Sequence, residues 1–113
     1  MNTRIRESVE ALVESIRTSG EYQTYLSCEE TLAQYPEILE RILELRRKTI
    51  EMYSDPENQD LIAVSGQLLN EFGDLDRIPA VNAYLEAEEE MVRILREVSR
   101  EVTGNVRLKV PEL

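Results

Sequence analysis

Apolar residues recur at helical spacing from the start of the chain. The first set occupies one stripe and consists of Ile5, Val9, Leu12, Val13 and Ile16. Arg6, Glu7 and Glu10 fall outside that stripe. Steps of three and four residues place side chains on one face of an α-helix. We therefore expect a first helix over about residues 3–18.

Polar and proline signals mark the next two helices. The segment Thr18-Ser19-Gly20-Glu21 has the form of a capping box, in which the Thr18 hydroxyl caps a helix and Glu21 reaches back. This predicts a second helix that runs to about residue 34. Tyr35-Pro36 then breaks the pattern, and Pro36 suits the first turn of a third helix over about 36–53.

A fourth helix and a loop follow. The segment Ser54-Asp55-Pro56-Glu57 repeats the start signal, so we expect a helix that carries the apolar residues between Leu61 and Phe72. Residues 73–79 form the clearest loop in the sequence. Gly73 is able to adopt a left-handed conformation there, and Pro79 disfavours helix at the residue before it.

The last predicted helix, about residues 80–103, has the strongest periodicity. Its seam follows steps of three and four residues and consists of Val81, Tyr84, Glu88, Met91, Leu95, Val98 and Val102. This is a heptad pattern, and Leu85 widens it on one flank. One narrow partner would not cover so broad an apolar side. The interface candidates are therefore Val81, Tyr84, Leu85, Glu88, Met91, Leu95 and Val98.

These elements predict an all-α fold of about five helices in an antiparallel or hairpin arrangement. We expect a single helical domain over residues 1–113, with an ordered core over about 3–103. In the tail, residues 104–113, Val106, Leu108 and Val110 alternate with Arg107 and Lys109. That period of two fits either a loose end or a short added strand.

Composition removes several kinds of chemistry. The chain has 23 Asp and Glu against 13 Lys and Arg, a net charge of −10, no His and a single Cys at position 28. The absence of His removes imidazole bases and Ser-His or Cys-His nucleophile pairs. We expect no catalytic residues, no metal and no cofactor. The first residues do not resemble a signal peptide and no apolar run is long enough to span a bilayer, so the cytoplasm is the expected location.

Three segments together resemble a known family. They are Ser19-Gly20-Glu21-Tyr22-Gln23-Thr24-Tyr25, Tyr35-Pro36-Glu37, and Ile78-Pro79-Ala80-Val81-Asn82-Ala83-Tyr84-Leu85-Glu86-Ala87-Glu88. Their pattern and spacing resemble the YlbF/YmcA family of small bacterial proteins over roughly residues 3–103. The resemblance implies a helical cytoplasmic regulator of competence, sporulation or biofilm formation that self-associates or pairs with relatives. It also implies an adaptor role, since some members form a specificity complex for a membrane-tethered ribonuclease.

The cysteine content departs from that family. Complexes in the family are linked to iron–sulfur clusters held by cysteines, some of them near chain ends. Residues 104–113 of this chain contain no cysteine, and a cluster usually takes four thiolates. Cys28 could supply one ligand per chain to a site shared between chains. We expect instead a half-buried, inert thiol.

Two other groups of side chains have ordinary interpretations. The acids Glu29-Glu30 and Glu86 to Glu90 could bind metals in a bundle, but such sites normally add Glu-x-x-His motifs that this chain lacks. The basic run Arg46-Arg47-Lys48 is short against a charge of −10, which argues against direct nucleic-acid binding.

A non-enzymatic adaptor that acts through protein contacts is therefore the favoured function. Its expected partners are further copies of the chain, as a dimer or larger assembly, or a related helical protein, without membrane insertion. Two alternatives stay open. One is an RNA-associated helical module, and the other is a small helical enzyme that works without histidine.

Overall fold

A computed structural model describes residues 1–57 and 60–109 of the chain. Its elements, in chain order, are α1 (Thr3–Arg17), α2 (Gly20–Ala33), α3 (Pro36–Ser54), α4 (Leu61–Phe72), a 3₁₀ helix (Gly73–Arg77) and α5 (Pro79–Gly104). The described residues contain no strand. The all-α prediction with about five helices is confirmed.

The helix starts show which polar residues act as caps. The Asn2 side chain accepts a hydrogen bond from the Ile5 backbone N–H at 2.9 Å and so opens α1. At α2 the predicted cap is wrong by one residue. Ser19 Oγ accepts from the Tyr22 N–H at 3.2 Å, whereas the Thr18 hydroxyl donates back to the Glu14 carbonyl at 2.8 Å. Thr18 keeps helical backbone angles, so its side chain serves the end of α1.

The start of α4 lies later than the Ser54–Glu57 signal predicted. Asp55 accepts a bond from the Glu57 N–H at 2.9 Å, which makes a local turn. Asp60 is the actual cap, because its carboxylate accepts from the Ile62 and Ala63 N–H groups, both at 3.1 Å. Residues 58 and 59 lie outside the described part of the chain.

Gly73 does not adopt the expected left-handed conformation. Its φ is −62°, and the predicted loop over residues 73–79 instead holds the 3₁₀ helix and the first residue of α5. Asn82 stabilises this corner, since its side-chain amide donates to the Asp76 carbonyl at 2.8 Å. A Cβ at Gly73 would lie 3.1 Å from Leu69 Cδ1. Close approach to the preceding helix turn, and not a positive φ, is what suits glycine here.

The tail has no regular structure where it is described. Residues 105–109 are exposed and form neither helix nor strand. Val110 and the three residues after it lie outside the described residues. A packed single domain over the whole chain stays a prediction.

The described chain divides into two compact units. One unit is formed by residues 1–26 together with 85–113, and the other by residues 27–84. In the sequence, α2 and α5 each contribute residues to both. We call residues 1–26 with 85–113 the terminal unit, and residues 27–84 the central unit.

The central unit holds most of the buried side chains. Those with the lowest exposure are Leu32, Ile42, Val64, Phe72, Leu75, Val81 and Tyr84. Leu32 and Val81 are fully buried, at 0% exposure. They come from all the elements between the end of α2 and the start of α5, so each element contributes a side chain to one apolar core.

Two cations on α3 join that helix to α4 and the 3₁₀ helix. Arg41 donates to both Asp74 carboxylate oxygens, at 2.5 and 2.8 Å, and to the Glu71 carbonyl at 3.0 Å. Lys48 pairs with the Glu71 carboxylate. Both cations lie over the Phe72 ring, with Arg41 Cζ at 5.9 Å and Lys48 Nζ at 5.6 Å from its centroid. The buried aromatic ring is thereby flanked by charges that pair across the helices.

The Arg41–Asp74 pair predicts a measurable pH dependence. Hydrogen bonds from Arg41 lower the pKa of the Asp74 carboxyl below its ordinary value. A carboxyl with a depressed folded-state pKa adds stability that is present above its unfolded pKa and is lost as the pH falls through the folded value. We therefore expect the difference in denaturation midpoint between wild type and Asp74→Asn to shrink as the pH falls below about 4.

Asp76→Asn is the matched control for this measurement. Asp76 lies in the same 3₁₀ helix, and no ion pair of its carboxylate is found among the described residues. Urea denaturation of the three proteins from pH 7 to pH 2 makes the comparison. A pH-independent gap for Asp74→Asn would contradict the assigned pair.

Candidate functional site

The helix α1 contributes no buried residue to the chain. Its apolar stripe nevertheless has the regular spacing of a packed helix. The exposed fractions are 50% for Ile5, 41% for Val9, 37% for Leu12 and 44% for Val13. An amphipathic helix normally hides its apolar stripe against other protein. This stripe is therefore a surface that a second molecule could cover.

The second half of α5, in the same unit, also exposes apolar residues. Val92 is 39% exposed, Leu95 52% and Val102 55%, and their spacing puts them on one side of the helix. Val102 lines a shallow groove together with Ile5, Val9 and Leu12 of α1. All of these residues belong to the terminal unit. We call the surface formed by Ile5, Val9, Leu12, Val13, Val92, Leu95 and Val102 the terminal apolar face.

The seven interface candidates fall into three groups. Val81, Tyr84 and Met91 are buried within the single chain, at 0%, 6% and 8% exposure. Leu85, Glu88 and Val98 are half-buried. Leu95 is exposed, and it alone among the candidates lies on the terminal apolar face. An interface role for any of them stays a prediction.

The least exposed stripe of α5 differs slightly from the seam. It includes Ala87, which is 8% exposed, and continues through Met91 to the half-buried Ile94 and Val98. Ala87 was not among the sequence candidates. The signal for it was present, because positions 84, 87, 91, 94 and 98 keep the same steps of three and four residues without including an acid.

Charges on α5 are arranged along the helix. Arg93 pairs with Glu90, and its Nη2 lies 3.6 Å from Glu89 Oε1. Glu89 and Arg93 are four residues apart, a spacing at which ion pairs support a helix. Both side chains are well exposed, so the pair adds little stability.

The basic run does not form a patch for nucleic acid. Lys48 is engaged by Glu71, and its Nζ also lies 3.6 Å from Glu44. Arg46 lies over the Tyr84 ring, 5.9 Å from its centroid. Arg47 borders a shallow surface pocket with two acids, Glu40 and Glu44. A phosphate backbone needs several free cations on one surface. The run thus gives the RNA alternative no support.

Charged side chains and the single thiol are the remaining candidates for catalysis or for a cluster. No charged side chain is buried among the described residues. In the same part of the chain, no three Cys, Asp or Glu side chains are grouped as metal ligands. Cys28 is a half-buried free thiol on α2. One such thiol per chain does not fit the four thiolates of an iron–sulfur cluster.

No described helix combines the length and the apolar character that a bilayer span requires.

Comparison with known proteins gives one match. Residues 5–107 match the protein-family model described as "Control of competence regulator ComK, YlbF/YmcA". No curated protein and no solved structure matches the chain.

Proposed function

Because the chain belongs to the YlbF/YmcA family, whose description is the control of the competence regulator ComK, we propose that it is a non-enzymatic helical adaptor. Family membership confirms the resemblance to the YlbF/YmcA family and indicates a regulatory role. The finer proposal is that the chain regulates through contacts with proteins. Its partners are further copies of itself or related helical chains, and the assembly acts as a specificity factor for a ribonuclease.

The terminal apolar face is the single observation that supports the proposal best. A regulator without a catalytic group must act through its surface, and α1 places four of the five residues of its apolar stripe there, with Ile16 half-buried. Burial of apolar area contributes roughly 25 cal/mol per Å² to the free energy of binding. The entropic cost of association offsets part of that total. Two helices that each cover part of a partner supply more such area than one helix could.

Charge determines how the assembly should respond to salt. Each chain carries a net charge of −10, so copies repel one another while the apolar contact holds them together. Added salt screens that repulsion. We expect the dissociation constant for self-association, measured by sedimentation equilibrium, to fall severalfold between about 50 and about 500 mM NaCl.

A basic partner protein would behave in the opposite way, because salt weakens attraction between unlike charges. The direction in which the dissociation constant changes with salt therefore distinguishes self-association from binding to a basic partner protein. A dissociation constant that rises with salt would contradict an apolar contact between like-charged chains. A single-chain mass throughout the series would contradict self-association itself.

A further inference from the structure

The helix α4 has an exposed apolar ridge in the central unit, separate from the terminal apolar face. Residues 61–70 contain no charged side chain, although 32% of the whole chain is charged. Val64 and Phe72 occupy the buried side of α4. Ile62 and Leu69 are exposed, at 87% and 67%, and Ile62 is the most exposed large hydrophobic residue of the described chain. Solvent-facing positions of a helix normally carry polar or charged residues.

Gly66 lies between these two side chains on the same ridge. A Cβ added there would meet no heavy atom within 4 Å, and the backbone φ is not positive. The fold of this chain therefore does not require glycine at position 66. Glycine inside a helix costs about 1 kcal/mol relative to alanine. The missing side chain leaves a gap between Ile62 and Leu69 through which the backbone of a second helix could approach.

The central unit, which carries the ridge, is acidic as a whole. The central unit contains 12 Asp and Glu against five Lys and Arg. Of the five cations, Arg41 and Lys48 pair with acids of the chain and Arg46 lies over Tyr84. Asp60 precedes α4, and Asp74 and Asp76 follow it. The concave surface beside the ridge is lined by Gly66, Leu69, Asn70, Gly73, Asp74 and Arg77.

These charges select the occupant. Two copies of the ridge related by a two-fold axis would bring together two central units that each carry 12 acids against five cations, and Arg77 is the one cation among the residues that line the concave surface. We propose that the α4 ridge binds an amphipathic helix of a different protein, with an apolar stripe flanked by Lys or Arg. Since α4 has 12 residues and rises about 1.5 Å per residue, a partner helix of about three turns would match its length. This inference rests on the proposed adaptor role but uses a separate surface.

Two synthetic peptides test the proposal. Both are about 14 residues long, fluorescein-labelled, and carry a leucine stripe at helical spacing. The stripe is flanked by Lys in one peptide and by Glu in the other. Fluorescence anisotropy at about 150 mM NaCl should show binding of the Lys peptide at least tenfold tighter than that of the Glu peptide. Equal affinities, or no binding of the Lys peptide, would overturn the proposal.

Variants of the chain locate the peptide. Ile62→Ser should weaken binding of the Lys peptide at least tenfold. The matched control Ile50→Ser, at an α3 position that is 67% exposed, should leave that affinity unchanged. Gly66→Ala should weaken binding of the Lys peptide, because the added methyl group fills the gap. It should also raise the thermal midpoint of the chain, because alanine favours the helix. Loss of binding through misfolding cannot produce that combination. Equal losses for Ile62→Ser and Ile50→Ser would overturn the proposed site.

The assembly mass of the same variants separates this inference from the proposed function. Ile62→Ser and Gly66→Ala should leave the wild-type mass unchanged, since self-association uses the terminal apolar face. A reduced mass would show that the ridge binds a second copy, which contradicts a foreign occupant. If the wild type itself has the mass of one chain, the proposed function fails while the peptide result stands by itself.

Discussion

Leu95→Glu should break the assembly into smaller species while the helices remain intact. Leu95 is 52% exposed in the single chain and lies on the terminal apolar face, so a charge there is solvated in the free chain. In an assembled face the same carboxylate would be buried without a partner, which costs several kcal/mol. We expect the dissociation constant to rise at least a hundredfold, since about 1.4 kcal/mol corresponds to a factor of ten. Sedimentation velocity measures the mass, and far-UV circular dichroism measures helicity.

Leu43→Glu is the matched control for this variant. Leu43 is 54% exposed, lies on α3 in the central unit, and undergoes the same chemical change. It should keep both the wild-type mass and the wild-type helicity. Equal dissociation by the two variants would indicate general charge repulsion instead of a specific face. A global loss of helicity in Leu95→Glu would place Leu95 in the core of the chain.

Leu32→Ala should give the largest loss of stability among conservative substitutions. Leu32 is fully buried near the end of α2, at 0% exposure. Removing a buried leucine side chain to alanine typically costs about 2–5 kcal/mol, because transfer energy is lost and a cavity is left. That is a large fraction of the stability of a small protein. Urea denaturation at a fixed chain concentration should show the loss, since association would add its own stabilisation.

Leu69→Ala gives the comparison at an exposed site. Leu69 is 67% exposed on the α4 ridge, so the same change should cost less than about 1 kcal/mol. Leucine is removed from a helix in both variants, which leaves burial as the main difference between them. If Leu32→Ala cost no more than Leu69→Ala, the assigned core of the central unit would be wrong.

Helix positions were predictable because local signals dominate them. Pro36 begins α3 as expected, since proline at a first helical position gives up no hydrogen bond. The caps were harder to predict. Thr18 and Ser19 are neighbours with equivalent hydroxyls, and Asp55 and Asp60 both resemble cap residues. Backbone angles decide between such neighbours, and those angles depend on how the preceding helix ends.

The candidate site was predictable only in part. Two stripes of α5 share steps of three and four residues, one through Glu88 and Leu95 and the other through Ala87 and Ile94. Periodicity alone cannot rank them, although the second has no acid. In the chain Ala87 is buried and Leu95 is exposed. A sequence pattern therefore identifies a helix with a wide apolar side before it identifies which part of that side stays exposed.

Contacts between distant positions could not be predicted from local pattern. Arg41 and Asp74 are 33 residues apart, and Lys48 and Glu71 are 23 apart. Both pairs meet beside Phe72 because α3 and α4 pack together. The packing of α3 on α4 engages Lys48 of the basic run, and Arg46 lies over the Tyr84 ring of α5. The sequence shows the basic run but not these contacts of its side chains with distant residues.

The light-scattering mass of the unmodified chain at micromolar concentration tests the central claim most directly. The chain mass is 13.1 kDa. Since α1 exposes Ile5, Val9, Leu12 and Val13 in a single copy, the measured mass should be an integer multiple of that value, two or greater. A mass of one chain, found together with full helicity, would show that the terminal apolar face needs no partner copy and would contradict the account.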